Sequence, residues 1–258
     1  VGGISHDGRL MVFDHKGTIP VSNPLFSSSG VFLFNTQTQA LLGVGMGTSG
    51  QALPECWYGS LSSDGRWLAY SCESAGERQI FIRDIAAGSV ELLGSGDQPR
   101  LCGRSGTINF VRTGANGFRQ VYQARAPSFT TVLVSRGASG VLGNNHSQFP
   151  TSNFDCSVVG FQSSATNFNA SPSPSRTSVY VSVRSGDGSF GSSVNVCKSS
   201  DGAFAATQDC SGIRLSPMAD RYSFQTSDPR VFMQAPVSPP LVLEFRNELD
   251  TILMDGWQ

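Results

Sequence analysis

The chain has 258 residues with a formal net charge of -1, and only 14% of its residues are charged. That balance gives no electrostatic case for nucleic acid or an anionic membrane surface, and no apolar run approaches the roughly 18 to 20 residues of a spanning helix. Length permits one large all-β domain with a sizeable core, and 29 glycines among Ser, Thr and Asn favour many short strands over helices.

In chain order, the start Val1-Gly2-Gly3 carries no initiator Met, which fits either a processed mature protein or a shortened one. The first element is the turn Ile4-Ser5-His6-Asp7-Gly8-Arg9, followed by the strand Leu10–Phe13. Asp7-Gly8 predicts a tight hairpin, because Gly takes positive φ without steric cost and Asp tolerates it. Two further strands are expected at Val31–Phe34 and Ala40–Val44. The unit then repeats. Leu61-Ser62-Ser63-Asp64-Gly65-Arg66 opens Trp67–Tyr70, with strands following at Gln79–Asp84 and Ser89–Leu93.

Three weaker copies follow. Leu101–Phe110 keeps a turn glycine and a final aromatic, and leads into Gln120–Ala124 and Thr131–Val134. Thr151–Phe161 keeps Asp155 but places Cys156 where Gly would stand, and leads into Ser178–Val183 and Ser193–Val196. Leu215–Phe224 keeps Leu-Ser and the aromatic, with Leu241–Phe245 and Thr251–Met254 expected as its outer strands. The turns recur every 40 to 60 residues or so, the length of a propeller blade with insertions. Four strands in each of five units predict an all-β propeller with almost no helix, of blades near 1–50, 51–97, 98–143, 144–210 and 211–258. Two arrangements stay open: a closed five-bladed ring whose first inner strand is residues 1–4, or part of a larger propeller completed by another copy or domain.

These units resemble the WD40-like (PD40) repeats of TolB-type periplasmic proteins and of many secreted bacterial proteins. The likeness is strongest around Leu61–Tyr70 and Ile80–Asp84, and extends to Phe161–Phe168 with Ser178–Val181. It implies a propeller fold and leaves function open, because propellers host unrelated activities.

Six cysteines with no C-x-x-C pair and only three histidines argue for disulfides over zinc, hence an oxidising compartment; free buried thiols are the alternative. The repeat frame orders them. Cys56 and Cys72 lie symmetrically about the Asp64 turn; Cys102 and Cys156 fall in the turn regions of successive blades; Cys197 and Cys210 flank a short loop. This pattern is one of the 15 connectivities open to six cysteines.

Catalytic signatures are weak. No G-x-S-x-G elbow is present, and His6, His15 and His146 are dispersed. Ser62-Ser63-Asp64-Gly65-Arg66-Trp67 differs in spacing from a sialidase Asp-box, and acidic pairs for glycoside hydrolysis stay open. Gly43-x-Gly45-x-Gly47 precedes no helix on which a pyrophosphate would rest. Asp187-Gly188 and Asp201-Gly202 read as turns rather than calcium loops. Asn145-His146-Ser147 and Asn169-Ala170-Ser171 match the glycosylation pattern at a chance frequency. No cofactor or metal is expected.

The expected role is a non-catalytic, extracellular, cell-surface or periplasmic interaction module whose partner is a protein, including copies of itself, without membrane insertion. Trp257, in the tail Asp255–Gln258, is a candidate anchor for a neighbour, with burial in its own blade the plain alternative. A carbohydrate- or peptide-binding propeller is the second reading, with Trp57, Tyr58 and Phe154 as stacking platforms. A hydrolase with a dispersed site is the third. The loops 21–30, 167–176 and 235–240 are low in charge and read as surface or contact segments.

Overall fold

The computed structural model describes residues 2–17, 30–168, 176–197 and 209–226, and the backbone of the strands at 231–234 and 243–245. Trp257, Asp201-Gly202, Asn169-Ala170-Ser171, the run Thr251–Met254 and the loops named above lie wholly or largely outside the described residues.

Five four-stranded sheets follow one another, each built from one continuous stretch of chain in meander order. Blade 1 holds β1 (Gly2–Ile4), β2 (Leu10–His15), β3 (Gly30–Asn35) and β4 (Leu41–Gly43). Blade 2 holds β5 (Trp57–Leu61), β6 (Trp67–Ser74), β7 (Glu77–Asp84) and β8 (Val90–Ser95). Blade 3 holds β9 (Asp97–Cys102), β10 (Thr107–Thr113), β11 (Arg119–Arg125) and β12 (Val132–Leu133). Blade 4 holds β13 (Ser147–Ser152), β14 (Val158–Ser163), β15 (Ser178–Val183) and β16 (Val194–Asn195). Blade 5 holds β17 (Cys210–Leu215), β18 (Tyr222–Thr226), β19 (Val231–Gln234) and β20 (Leu243–Phe245). Among the described residues the only helical element is a short 3-10 turn at Ala138–Gly140.

Blade 5 corrects the expected strands. Its third strand is Val231–Gln234 and its fourth is Leu243–Phe245. The sequence pattern predicts the third strand at Leu241–Phe245 and the fourth at Thr251–Met254, a run outside the described residues. The antiparallel meander pairs Tyr222 with Gln234 and Gln225 with Val231, so the next apolar run after β18 continues the sheet.

The core lies between blades. Val12, Val31 and Leu33 of blade 1 pack on Leu68, Tyr70 and Phe81 of blade 2. Ala69 and Ile80 meet Ile108 and Phe110 of blade 3. Val111 and Val121 meet Phe161 and Tyr180 of blade 4, and Val179 meets Ile213 and Phe224 of blade 5. Each inner blade is thus covered on both faces, which explains why its middle strands are runs of apolar residues. The aromatic closing each repeat has one purpose in blades 1 to 4. It stacks on an aromatic directly across the second and third strands, as Phe13–Phe32, Tyr70–Phe81, Phe110–Tyr122 and Phe161–Tyr180, at 5.9, 5.9, 6.0 and 5.9 Å.

Disulfides join Cys56 to Cys72, Cys102 to Cys156 and Cys197 to Cys210. The first ties β6 to the residue preceding β5 within blade 2. The second links the end of β9 to the turn of blade 4. The third closes the crossing from blade 4 into β17. Gly45 lies so close to the first bridge that an added Cβ would sit 2.6 Å from Cys56 Sγ, so the Gly-rich segment around it is a packing contact between blades.

Candidate functional site

The recurring turn is a hydrogen-bonded cassette. In blade 1 the Ser5 hydroxyl donates to Asp7 Oδ1 at 2.6 Å and accepts the Leu10 amide at 3.0 Å, while Asp7 accepts the Arg9 amide. Blade 2 repeats this with Ser62, Asp64 and Trp67 at 2.6 and 2.9 Å. Gly8 and Gly65 take φ of 69° and 72°, the left-handed conformation the turn requires. Cys156 adopts the same conformation at φ 65° in blade 4, where Asn153 replaces Ser and accepts the Val158 amide. Hydrogen bonds from Ser5 and Arg9 hold the Asp7 carboxyl well below the usual range, and those from Ser157 lower Asp155. These residues build the turns.

Neighbouring turns are joined around the axis. His6 N donates to Ser63 O at 2.7 Å, Ser63 N to Gly103 O at 2.9 Å, and Phe154 N to Pro217 O at 2.9 Å. Between blades 3 and 4 the Cys102–Cys156 bridge makes the link, beside Gln123 Nε2 donating to Cys156 O at 3.1 Å. One face of the propeller is therefore an arc of linked turns running from blade 1 to blade 5.

At the centre of that face a cavity of about 280 Å³ is lined from all five blades, including Ile4, Leu61, Leu101, Ser152 and Leu215. This common lining is what makes the five sheets blades around one axis. Large apolar side chains stay in water around it: Ile4 is 56% exposed, Phe154 47% and Met218 81%. Arg100 and Thr151 also line a second cavity of about 510 Å³, with Arg214, Phe149 and Gly212, further along the same inner strands.

The inner strands share a device that the sequence did not announce. Tyr58, Gln98, Phe149 and Gly212 all have positive φ, at 60°, 53°, 54° and 65°, where the first and second strands of blades 2 to 5 slip in register. Asp14 of β2 holds the bulge of blade 2 by accepting the Tyr58 and Gly59 amides at 3.0 and 2.9 Å. Trp57 and Tyr58 are half-buried beside a cavity of about 530 Å³ with Asp14, Arg78 and Asp97. Trp57 Nε1 donates to Glu55. Arg78 is paired with Asp97 at 3.4 Å and donates to Ser71 Oγ.

The histidines are not gathered into one site. His6 uses its backbone in the turn ring, His15 lies edge-on to Phe32, and His146 accepts the Arg119 amide through Nδ1 while touching Phe118. Ser147 of Asn145-His146-Ser147 is buried and bonded to Ser163. Asp187 caps its own turn through the Ser189 amide. Among the described residues no group of three His, Cys, Asp or Glu could hold a metal ion. None of their helices is long and apolar enough to cross a membrane.

Five four-stranded sheets around a common channel define a β-propeller. Comparison with solved structures finds the same propeller fold in TolB proteins and in a prolyl endopeptidase. TolB from Acinetobacter baumannii superposes with a TM-score of 0.56 at 13% identity, covering 90% of this chain and 50% of that one. A putative TolB from Agrobacterium tumefaciens gives 0.53 at 19% identity, covering 75% and 63%. A prolyl endopeptidase gives 0.56 at 15% identity, covering 93% of this chain and 34% of that one. The chain thus spans about half to two thirds of the TolB chains, and at these identities the likeness is one of fold. No protein-family model and no curated protein matches the sequence. Three disulfides place the chain in an oxidising, non-cytoplasmic compartment.

Proposed function

We propose that this propeller is a non-catalytic interaction module of the periplasm or extracellular space, which self-associates through the face formed by its linked turns. The apolar rim around the channel mouth carries this reading. Ile4, Phe154 and Met218 surround a concave centre lined by Leu61, Leu101 and Leu215. Exposed apolar clusters of this kind mark contact surfaces, and a second copy offers the self-complementary partner a two-fold stack needs. The turn links from blade 1 to blade 5 make the face rigid, so association costs little ordering entropy. Sedimentation velocity tests this: the native protein sediments as a concentration-dependent dimer or higher assembly, and Ile4→Ser with Met218→Ser shifts it to monomer. A native protein that stays monomeric at high concentration refutes the reading.

A second reading, glycan binding, rests on Trp57 and Tyr58 beside the polar cavity with Asp14, Arg78 and Asp97. Glycan-array binding lost in Trp57→Ala supports it, and silence across the array opposes it.

A further inference from the structure

Most arginines of the blades have evident work. Arg9 pairs with Asp7, Arg66 with Asp84 and Arg78 with Asp97. Arg112 donates to the Ser95 and Leu93 carbonyls. Arg100 and Arg214 differ. They stand at the same register of β9 and β17, each just before the leucine that precedes the turn. A whole blade separates them in the ring, yet both line the cavity of about 510 Å³.

The side-chain hydrogen bonds of Arg100 and Arg214 go to adjacent carbonyls, Pro99 O at 3.5 Å and Ile213 O at 3.0 Å. Among the described residues neither has a carboxylate within ion-pair distance. The acid whose charge reaches Arg100 is Asp14, and its two oxygens already accept the Tyr58 and Gly59 amides. Burial lowers the Arg100 pKa, Asp14 pulls it back up, and the charge of Arg214 lowers it again. The two cations therefore face one cavity as like charges, an arrangement that opposes folding unless an anion offsets it.

We infer that the channel binds a small organic carboxylate between Arg100 and Arg214. Guanidinium is a planar fork that matches a carboxylate with two parallel hydrogen bonds, and two such forks suit a dicarboxylate. Phe149 and Pro150 offer the carbon skeleton an apolar wall, and Thr151 adds a hydroxyl. The cavity volume falls within the range of about 300–1,000 Å³ common to small-ligand sites. Binding offsets the like charges of the two guanidiniums with two cation–anion contacts. The site adjoins the association face proposed above, sharing Arg100 and Thr151 with its central cavity, but uses none of the exposed rim residues Ile4, Phe154 and Met218.

The test is calorimetric titration of the whole protein with succinate, sulfate and the neutral diamide succinamide. Parallel titrations use Arg100→Gln, Arg214→Gln and, on an exposed turn, Arg221→Gln. Succinate binds the native protein and raises its melting temperature, while succinamide does neither. Each channel variant weakens succinate by about tenfold or more, the usual cost of losing a charge-assisted hydrogen-bond pair, and Arg221→Gln leaves it unchanged. Native-like circular dichroism of Arg214→Gln, whose side chain is exposed, shows that the loss is not unfolding. Three results overturn the inference: succinate binding no better than succinamide, sulfate binding as tightly as succinate, or native affinity retained in both channel variants.

Discussion

Replacing Cys102 and Cys156 together by Ala removes the covalent link between the turns of blades 3 and 4. The bridge closes a sequence separation of 54, for which chain entropy gives about 4 kcal/mol. The bridges at separations of 16 and 13 come to about 3 kcal/mol each by the same relation. For a chain of this length the unfolding entropy is roughly 0.5 kcal/mol/K, so the double variant melts about 8 °C lower. The local consequence matters more. His6, Ser63, Gly103, Phe154 and Pro217 join the other turns by backbone hydrogen bonds, whereas blades 3 and 4 are joined there by this sulfur bridge together with Gln123 Nε2 donating to Cys156 O and Asn109 Nδ2 donating to Ser152 Oγ, each at 3.1 Å. Differential scanning calorimetry measures the melting shift, and hydrogen exchange at the Ser63 and Phe154 amides reads the local opening. A melting change under about 2 °C, or exchange that rises no more there than at the outer strands, refutes the role assigned to the bridge.

Three further outcomes follow from the packing and the carboxylates. Phe161→Ala empties the site between Tyr180 and Phe168 in the core of blades 3 and 4. It costs about 3–5 kcal/mol, read as a lower urea midpoint with unchanged slope. Acid stability follows from Asp84, whose pKa the Arg66 guanidinium lowers, and from Asp155 and Asp187, lowered by Ser157 and Ser189. The unfolded chain then binds more protons in acid, so this stability is complete above an Asp value of about 3.9 and is lost as pH falls through the lower folded values. A melting series from neutral to strongly acidic pH therefore declines on the acid side, and Asp84→Asn lowers the neutral melting point while shrinking the acid loss. At alkaline pH the sign reverses: burial pushes Tyr70 up to about 12, so stability that is complete below the ordinary Tyr value of about 10 is lost as pH rises from there through the folded value. Tyr70→Phe flattens that alkaline decline.

Much of this fold was legible because its signals are local. Asp7-Gly8 and Asp64-Gly65 state their turn within four residues, and the aromatics Phe13, Tyr70, Phe110 and Phe161 mark the same register in four blades. That register also ordered the cysteines, since residues equally distant from an antiparallel turn face each other. Blade 5 was misread because Val231–Gln234 and Leu241–Phe245 are both short apolar runs, and only the pairing of Gln225 with Val231 decides between them. The bulges at Tyr58, Gln98 and Phe149 were silent because positive φ there is imposed by tertiary packing, and only Gly212 carries the expected residue type. Arg100 and Arg214 share a faint signal, an Arg-Leu pair just before each turn. Its meaning depends on the angle between blades 3 and 5, which no local pattern contains.

Electron microscopy of the native protein tests the central claim most directly. It predicts five-bladed discs stacked face to face, with the linked turns and Ile4, Phe154 and Met218 at the contact. Discs joined edge to edge, or isolated discs at concentrations where the turn face would be saturated, contradict it.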